Sequence, residues 1–193
     1  MEMTNKLIVF EGLDGSGKTV QIELLRKKYP DAMVFKYPTK SFQMLNDYLE
    51  KKLELSSKSL FLLFLSDIAN EQELVRVALD SGKTVILDRY VFSTISYELA
   101  DIHFPQAKKI VEGLGFLKPD EVILLDIPPE VSQERKMKQK KLDRYEENRD
   151  YLAKVRGNFL RLEEERFLTP NWHKVDASKG IESVHADIMK LLR

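Results

Sequence analysis

The sequence LIVFEGLDGSGKT, residues 7–19, determines the fold of this chain. Its first four residues form an apolar run long enough for a β-strand that is buried on both faces. The run leads directly into Gly12-x-x-x-x-Gly17-Lys18-Thr19, and residues 20–29 then place apolar side chains at helical spacing. A buried strand, a glycine-rich turn and a helix in this order are typical of the Walker A motif, a phosphate-binding loop (P-loop).

The residue types in this loop suit a bound nucleotide. Its glycines permit positive φ angles and let backbone N–H groups turn inward around an anion, at the positive end of the following helix. Lys18 is expected to reach the β- and γ-phosphates, and the Thr19 hydroxyl to bind Mg²⁺. We therefore expect an ATP-binding site formed by Gly12, Leu13, Asp14, Gly15, Ser16, Gly17, Lys18 and Thr19.

Composition narrows the range of partners and locations. The 193 residues fit one domain, and the 31 Lys and Arg residues balance the 31 Asp and Glu residues, so no overall charge favours nucleic acid or an anionic membrane. Because cysteine is absent, disulfides and thiolate metal sites are excluded. The first residues lack a signal-peptide core, and the longest apolar run, residues 60–65, is too short to span a bilayer. We expect a cytoplasmic protein with no nucleic-acid or membrane partner.

Short apolar runs alternate with helical patterns along the chain. The expected strands are residues 7–10, 32–36, 84–87, 121–126 and 172–176. A long helix over residues 57–81, ended by Gly82, is expected to bury an apolar face that includes Leu74. This alternation predicts a three-layer α/β/α P-loop NTPase fold with a five-stranded parallel sheet, right-handed crossovers and no second domain within 1–193.

Two charged residues follow the third strand. Asp88 ends an apolar run downstream of the P-loop, the Walker B arrangement, in which a carboxylate holds Mg²⁺ beside Thr19. Arg89 offers two parallel donors to a second phosphate. A regulatory GTPase would more often continue as Asp-x-x-Gly, which is absent here. The pair suits an enzyme that holds two phosphorylated molecules.

Three further positions could face the ligands. Lys40 follows the second strand, at the edge of the sheet where α/β folds bind ligands, although a lone loop lysine is often only solvated. Phe64 and Asp67 lie three residues apart in the long helix and could look into one cleft. Taken by themselves, residues in this pattern are more often a core aromatic residue, for Phe64, and a surface charge, for Asp67.

The basic stretch ERKMKQKKLDRYEEN, residues 134–148, has three possible interpretations. It could be a solvated helix face, a nucleic-acid patch, or a mobile lid whose cations close over phosphates. The neutral overall charge and the lack of interleaved aromatic residues argue against nucleic acid. The P-loop and the Asp88-Arg89 pair favour the lid.

Together these motifs resemble those of the thymidylate kinases, P-loop nucleoside monophosphate kinases that use MgATP to convert dTMP to dTDP. The similarity covers almost the whole chain and keeps the family's order of motifs. The matching segments are residues 10–19, Tyr37-Pro38 at the family's Phe-Pro, residues 62–64 with Asp67, Asp88-Arg89-Tyr90 with Ser93, residues 143–146, and residues 176–179.

The resemblance implies roles for the matched residues on the dTMP side. Asp14 would bind the sugar 3′-OH, and Tyr97 would pack against C2′ and exclude a ribose hydroxyl. Phe64 would stack on thymine, and Arg89 with Lys40 would hold the acceptor phosphate. The full set implied for dTMP is Asp14, Tyr37, Pro38, Lys40, Phe64, Asp67, Arg89, Ser93, Tyr97 and Tyr145.

On the ATP side, the resemblance places Arg135 beside the adenine, with Ser178 and Lys179 in the adenine-side loop. Arg144 would reach the transferring phosphate from the lid, and Thr19 with Asp88 would hold Mg²⁺. The implied catalytic residues are Lys18, Arg89, Arg135 and Arg144. The family also implies a homodimer packed through helices that include residues 57–81.

Three residues depart from the family pattern. Gly15 stands where some members carry arginine, so the catalytic cation is expected from the lid. Lys40 replaces an arginine fork with a point charge. Ile68 replaces an arginine that hydrogen-bonds thymine O4, a loss of roughly 1.5–3 kcal/mol unless a group such as Gln72 substitutes. A kinase with relaxed base choice therefore stays open, and so does a P-loop ATPase that regulates a partner protein.

Overall fold

The computed structural model describes residues 5–97, 102–138 and 148–192. Within these residues, five parallel strands alternate with eight helices, which confirms the predicted α/β/α architecture. The strands are β1 (Leu7–Glu11), β2 (Met33–Lys36), β3 (Val85–Asp88), β4 (Glu121–Asp126) and β5 (Trp172–Asp176). The helices are α1 (Lys18–Lys28), α2 (Gln43–Leu49), α3 (Ser57–Asp80), α4 (Val91–Ser96), α5 (Phe104–Leu114), α6 (Pro129–Met137), α7 (Arg149–Glu164) and α8 (Ile181–Leu191).

The strand order β2-β3-β1-β4-β5 places β1 at the centre of the sheet. All five β1 residues are buried, as expected for a parallel strand covered by helices on both faces. The chain leaves β1 for β2 on one side, while β4 and β5 lie on the other, so the P-loop lies where the winding reverses. Open parallel sheets bind ligands at this switch point.

The register of the strands brings charged residues to one edge of the sheet. Asp88 pairs with Phe10 on one side and with Lys36 on the other, at the carboxyl ends of β3, β1 and β2. Buried aromatic residues then fix the chain just beyond this edge. Tyr90 and Phe92 are buried, and Phe92 packs edge-on against Trp172 with ring centroids 4.7 Å apart. The segment after Asp88 is therefore anchored in the core.

Helix α3 ends near the predicted residue, but its buried face is narrower than predicted. Ser56 caps its first turn by accepting a hydrogen bond from the Ser59 N–H, and Gly82 follows its end with a φ of 81°. The prediction that Leu74 is buried was wrong, since 58% of its surface is exposed. Consecutive helical residues are about 100° apart, so the face that buries Val75 turns Leu74 outward. Among the described residues, no helix has the length and apolarity to cross a membrane.

Candidate active site

The loop between β1 and α1 has the backbone conformation that its glycines predict. Gly12, Gly15 and Gly17 have φ values of 138°, 75° and 96°, in the region that favours glycine. A Cβ on Gly12 would lie 2.4 Å from the carbonyl oxygen of Leu125 in β4, so only glycine fits there. The loop can therefore turn tightly at the centre of the sheet.

Lys18 lies inside this loop and is almost fully buried. Its Nζ donates to the carbonyl oxygens of Gly12 at 2.9 Å and Leu13 at 3.0 Å. Burial, followed by the positive charge of Arg89, lowers the pKa of Lys18 to about 8, while Asp14 and other carboxylates oppose the change. An anionic phosphate is a stronger acceptor than these neutral carbonyls, so the ammonium is suited to bind one.

A buried network supports Arg89 beside the loop. Arg89 itself has a φ of 73°, uncommon for a residue with a side chain. Glu11 Oε1 accepts hydrogen bonds from the backbone N–H groups of Tyr90 at 2.8 Å and Ser93 at 3.0 Å, and Oε2 accepts from the Ser93 hydroxyl at 2.6 Å. The Ser93 oxygen in turn accepts from Arg89 Nη1 at 2.9 Å. Glu11 thus holds both the unusual turn and the hydroxyl that orients the guanidinium.

Asp14 binds the other terminal nitrogen of the Arg89 guanidinium. Arg89 Nη2 donates to Asp14 Oδ1 at 2.8 Å, and the Tyr97 hydroxyl donates to Oδ2 of the same carboxylate at 3.2 Å. Burial alone would raise the pKa of Asp14, but the cations Arg89 and Lys18 outweigh it and hold that pKa well below its usual range. Asp14 is therefore a fixed negative charge in the P-loop, and it binds the guanidinium of Arg89.

Asp88 and Thr19 lie close enough to share one cation. Thr19 Oγ1 lies 3.4 Å from Asp88 Oδ2, and Lys36 Nζ lies 3.2 Å from the same carboxylate oxygen. The Lys36 ammonium at this distance shows that the Asp88 carboxylate can hold a positive charge. One hydroxyl and one carboxylate suit Mg²⁺, which commonly takes few protein ligands and completes its octahedron with phosphates and water. No group of three or more His, Cys, Asp or Glu side chains that could hold a metal ion occurs in the part of the chain that the structure describes.

A cleft of about 420 Å³ opens beside these groups, at the carboxyl ends of β1, β2 and β3. Of the residues predicted for the site, it is lined by Asp14, Gly15, Gly17, Lys18, Thr19, Tyr37, Pro38, Phe64, Asp88, Arg89, Ser93 and Tyr97. Leu49 and Ile68 add to its apolar wall near Phe64. The cleft therefore combines an apolar end with an end rich in cations and carboxylates.

The structure does not bring every predicted residue to this cleft. Asp67 is buried rather than on the surface, but it does not line the cleft with Phe64. Its carboxylate instead accepts from the Thr39 N–H at 2.7 Å and from the Thr39 hydroxyl at 2.5 Å. Lys40 is exposed and also lies outside the cleft lining.

Gln72 is not among the residues that line the cleft. Its side-chain oxygen accepts from the Tyr90 hydroxyl at 2.9 Å and from the Leu117 N–H at 3.0 Å. It therefore does not take the place of an arginine at position 68, where Ile68 is buried.

Helix α6 contacts the P-loop through Arg135. Arg135 Nη1 donates to the carbonyl oxygens of Gly15 at 3.2 Å and Ala177 at 2.9 Å, while Nη2 donates to that of Ser178 at 3.2 Å. Arg135 thus connects the P-loop to the loop after β5, where Lys179 pairs with Asp187. The predicted lid residues Arg144 and Tyr145, and most of the stretch 134–148, lie outside the described residues.

Comparison with known proteins identifies the family. The family model described as thymidylate kinase matches residues 10–188. This chain belongs to the thymidylate kinase family.

Individual thymidylate kinases match along nearly the full chain. The probable thymidylate kinase of Methanocaldococcus jannaschii is 36% identical over 193 residues, which cover 98% of this chain and 96% of that protein. The human thymidylate kinase is 32% identical over 192 residues, covering 96% and 88%. The solved structure of Candida albicans thymidylate kinase aligns with a TM-score of 0.78 at 28% identity, covering 97% of this chain and 90% of that one. The chain is a nucleoside monophosphate kinase, and it phosphorylates dTMP.

Three polar residues of this thymidylate kinase site are missed by sequence reasoning. Glu11 enters that reasoning only as part of the P-loop motif, although a carboxylate that interrupts an apolar run signals a buried partner. Lys36 enters only as the end of a strand, yet that position lies at the ligand-binding edge of the sheet. Lys136 is one of many cations in the basic stretch, but it lines the cleft and helps to lower the pKa of Asp14.

Proposed function

We propose that this enzyme transfers the γ-phosphoryl group of MgATP to dTMP, forming dTDP and ADP for dTTP biosynthesis. The observation that carries this proposal is the position of Lys18 and Arg89 in one cleft, with the Asp14 carboxylate between them. Two separate cationic sites in one cleft suit a reaction that brings two phosphorylated molecules together. Phosphoryl transfer depends mainly on positioning and charge stabilisation, so no side chain need act as a nucleophile.

Each phosphate has its own set of donors in this proposal. The P-loop N–H groups and Lys18 bind the β- and γ-phosphates of ATP, and Arg89 binds the dTMP phosphate. Thr19 and Asp88 are the residues that would hold Mg²⁺, which neutralises phosphate charge when bound. Arg135 lies on the side of the P-loop that faces Ser178, where the resemblance places adenine. Arg144 is proposed to supply the lid cation.

The apolar end of the cleft is proposed to hold the nucleoside of dTMP. Phe64 provides a ring for stacking on thymine, and Ile68 with Leu49 provides apolar contact. Tyr97, oriented by its hydrogen bond to Asp14, would pack against the sugar. In this arrangement base discrimination comes from shape and stacking more than from an arginine.

We further propose that the enzyme acts in the cytoplasm as a homodimer. Helix α3 exposes three large apolar side chains, Leu62, Leu74 and Val77, each more than half exposed. Exposed apolar residues grouped on one helix favour a protein interface. The cysteine-free sequence is compatible with a reducing compartment.

ADP production with MgATP and a panel of monophosphates tests this function. We expect dTMP to exceed dUMP, UMP, dCMP, dGMP and AMP in kcat/KM by about tenfold or more. The panel matters because the thymidylate kinase of Candida albicans is described as having broad substrate specificity. Similar kcat/KM values for several acceptors would indicate a kinase of broader specificity. No turnover with any acceptor would support a regulatory ATPase.

Lys18→Met provides the control for the site. Loss of the ammonium should reduce transfer by at least about 10²-fold while the fold persists, because a charged donor in a dry site acts on the transition state. A Lys18→Met enzyme with wild-type turnover would contradict the assignment of the P-loop as the donor site.

A further inference from the structure

Lys36 is one of three lysines that line the cleft, together with Lys18 and Lys136. It is the last residue of β2 and pairs in register with Asp88, so its side chain leaves the sheet at the ligand-binding edge. Its Nζ lies 3.2 Å from Asp88 Oδ2, and it lines the cleft with Lys18 and Arg89. Lys36 belongs to neither the P-loop motif nor the Asp88-Arg89 motif.

The loop after β2 keeps Lys40 out of the same position. Asp67 in α3 holds the Thr39 backbone and hydroxyl, which fixes the chain just before Lys40. The carbonyl oxygen of Lys40 then accepts from Asn46 Nδ2 at 3.0 Å, so the chain runs toward α2. As a result the Lys40 side chain is exposed and lies outside the cleft lining.

The position of Lys36 in the sheet indicates which phosphate it can reach. The strand order places β2 at one edge of the sheet, whereas Arg135 and Ser178 contact each other near β5 at the opposite edge. The proposed adenine side is therefore remote from Lys36. Tyr37 and Pro38, which directly follow Lys36 and belong to the set implied for dTMP, line the same cleft. These neighbours favour the acceptor phosphate, rather than the adenine side, as the partner of Lys36.

The side chain of Lys36 is also free to change partners. It is 62% exposed, in contrast to the 4% exposure of the Asp88 side chain. An ammonium on a flexible stem can move between two nearby anions at little cost in packing. Arg89 is already bound to Asp14, so a dianionic phosphate that binds beside it would still need positive charge.

We propose that Lys36 is a phosphate ligand for the acceptor nucleotide, which exchanges its ion pair with Asp88 for one with the acceptor phosphate. The inference rests on the proposed function, because it takes a nucleoside monophosphate to be the acceptor. Lys36 then supplies the positive charge that the family pattern predicts at Lys40.

Equilibrium binding by calorimetry tests this role with dTMP, thymidine and MgADP as probes. Lys36→Met should weaken dTMP binding by about ten- to a hundredfold, the effect of losing one charge-assisted contact, while thymidine binds as to the wild type. MgADP binding should not weaken, because the Lys36 ammonium competes with Mg²⁺ for Asp88 in the wild type. Lys40→Met should lose much less dTMP affinity than Lys36→Met. Lys52→Met, which removes an exposed lysine paired with Glu50, is the matched control for loss of a surface charge.

Three outcomes would overturn the assignment. They are unchanged dTMP binding in Lys36→Met, an equal loss for thymidine and dTMP, and a larger loss in Lys40→Met than in Lys36→Met. Lys36→Arg keeps a cation at the site and should recover most of the affinity, which separates a charge effect from a local packing defect. If the wild-type enzyme itself bound dTMP no better than thymidine and produced no ADP, the proposed function would fail instead.

Discussion

A Cβ on Gly15 would lie 3.0 Å from the carbonyl oxygen of Ser132 in α6. The Ser132 hydroxyl also donates to the Asp14 carbonyl oxygen at 2.6 Å, so the helix and the loop are tied together. A side chain at position 15 would next meet Arg135 and Lys136. A cationic side chain at position 15 and a helix packed this closely therefore exclude each other, and this chain has the packed helix.

Gly15→Arg should impair the enzyme rather than supply a useful cation. The residue has a φ of 75°, which costs a non-glycine residue about 1–2 kcal/mol, and its side chain must displace α6. We expect a lower melting temperature and a lower kcat, with Gly15→Ala intermediate. Gly113→Ala, in a helical position with no atom within 4 Å of the new Cβ, is the control and should be neutral or stabilising. A faster Gly15→Arg enzyme of unchanged stability would show that α6 is not held as described.

Tyr97 should determine the preference for deoxyribose through its ring. The ring packs edge-on against Tyr151 and Phe159 at 6.4 Å, and its hydroxyl bonds Asp14. Tyr97→Ala should lower the ratio of kcat/KM for dTMP over ribothymidine monophosphate by about tenfold or more, because space opens beside C2′. Tyr97→Phe keeps the ring and should keep the ratio. An unchanged ratio in Tyr97→Ala would refute the steric role.

Local sequence is sufficient to predict the strands and the P-loop. The glycine spacing that predicts the loop also produces its positive φ angles, and the strand predicted at residues 121–126 has those bounds in the structure. These features depend on backbone sterics and on periodicity within a few residues. For the same reason Asp88, Thr19 and Arg89 can be assigned to one edge of the sheet from the sequence.

The direction of individual side chains cannot be predicted in this way. Lys36 and Lys40 are four residues apart, yet only Lys36 lines the cleft, and the tertiary contact between Asp67 and Thr39 fixes the chain just before Lys40. Helical spacing puts Asp67 on one face with Phe64, and the resemblance implies a role for it in binding dTMP. Its actual partner lies 28 residues away in the chain, beyond the reach of a periodicity argument.

Asp67→Asn should loosen the loop that follows β2. The amide oxygen can still accept from the Thr39 N–H, and the amide nitrogen can donate to the Thr39 hydroxyl oxygen, but both contacts lose the negative charge that strengthens them. We expect the free energy of unfolding to fall by about 1–3 kcal/mol in urea titrations. Thr39→Ser keeps both donors and should cost less than Thr39→Val, which removes the hydroxyl. Equal stability of the Ser and Val variants would contradict an anchoring role for this contact.

Glu11 should make the stability of the enzyme depend on pH near neutrality. Burial raises the pKa of Glu11 from its ordinary value of 4.5 to about 7, against the opposing effects of Arg89 and the Ser93 hydrogen bond. The folded state therefore binds this proton more tightly than the unfolded chain does. The resulting stabilisation is fully present below pH 4.5 and is lost as pH rises through about 7.

Glu11→Gln isolates this contribution, because a carboxamide resembles the protonated carboxyl and does not titrate. Its Nε2 can donate to the Ser93 oxygen in the place of a protonated Oε2. We expect the free energy of unfolding of Glu11→Gln, relative to wild type, to increase between pH 5 and pH 8 in urea titrations. Glu182→Gln, at an exposed site in α8, controls for the loss of one carboxylate. Parallel pH profiles for the Glu11→Gln and wild-type enzymes would rule out Glu11 as the titrating group.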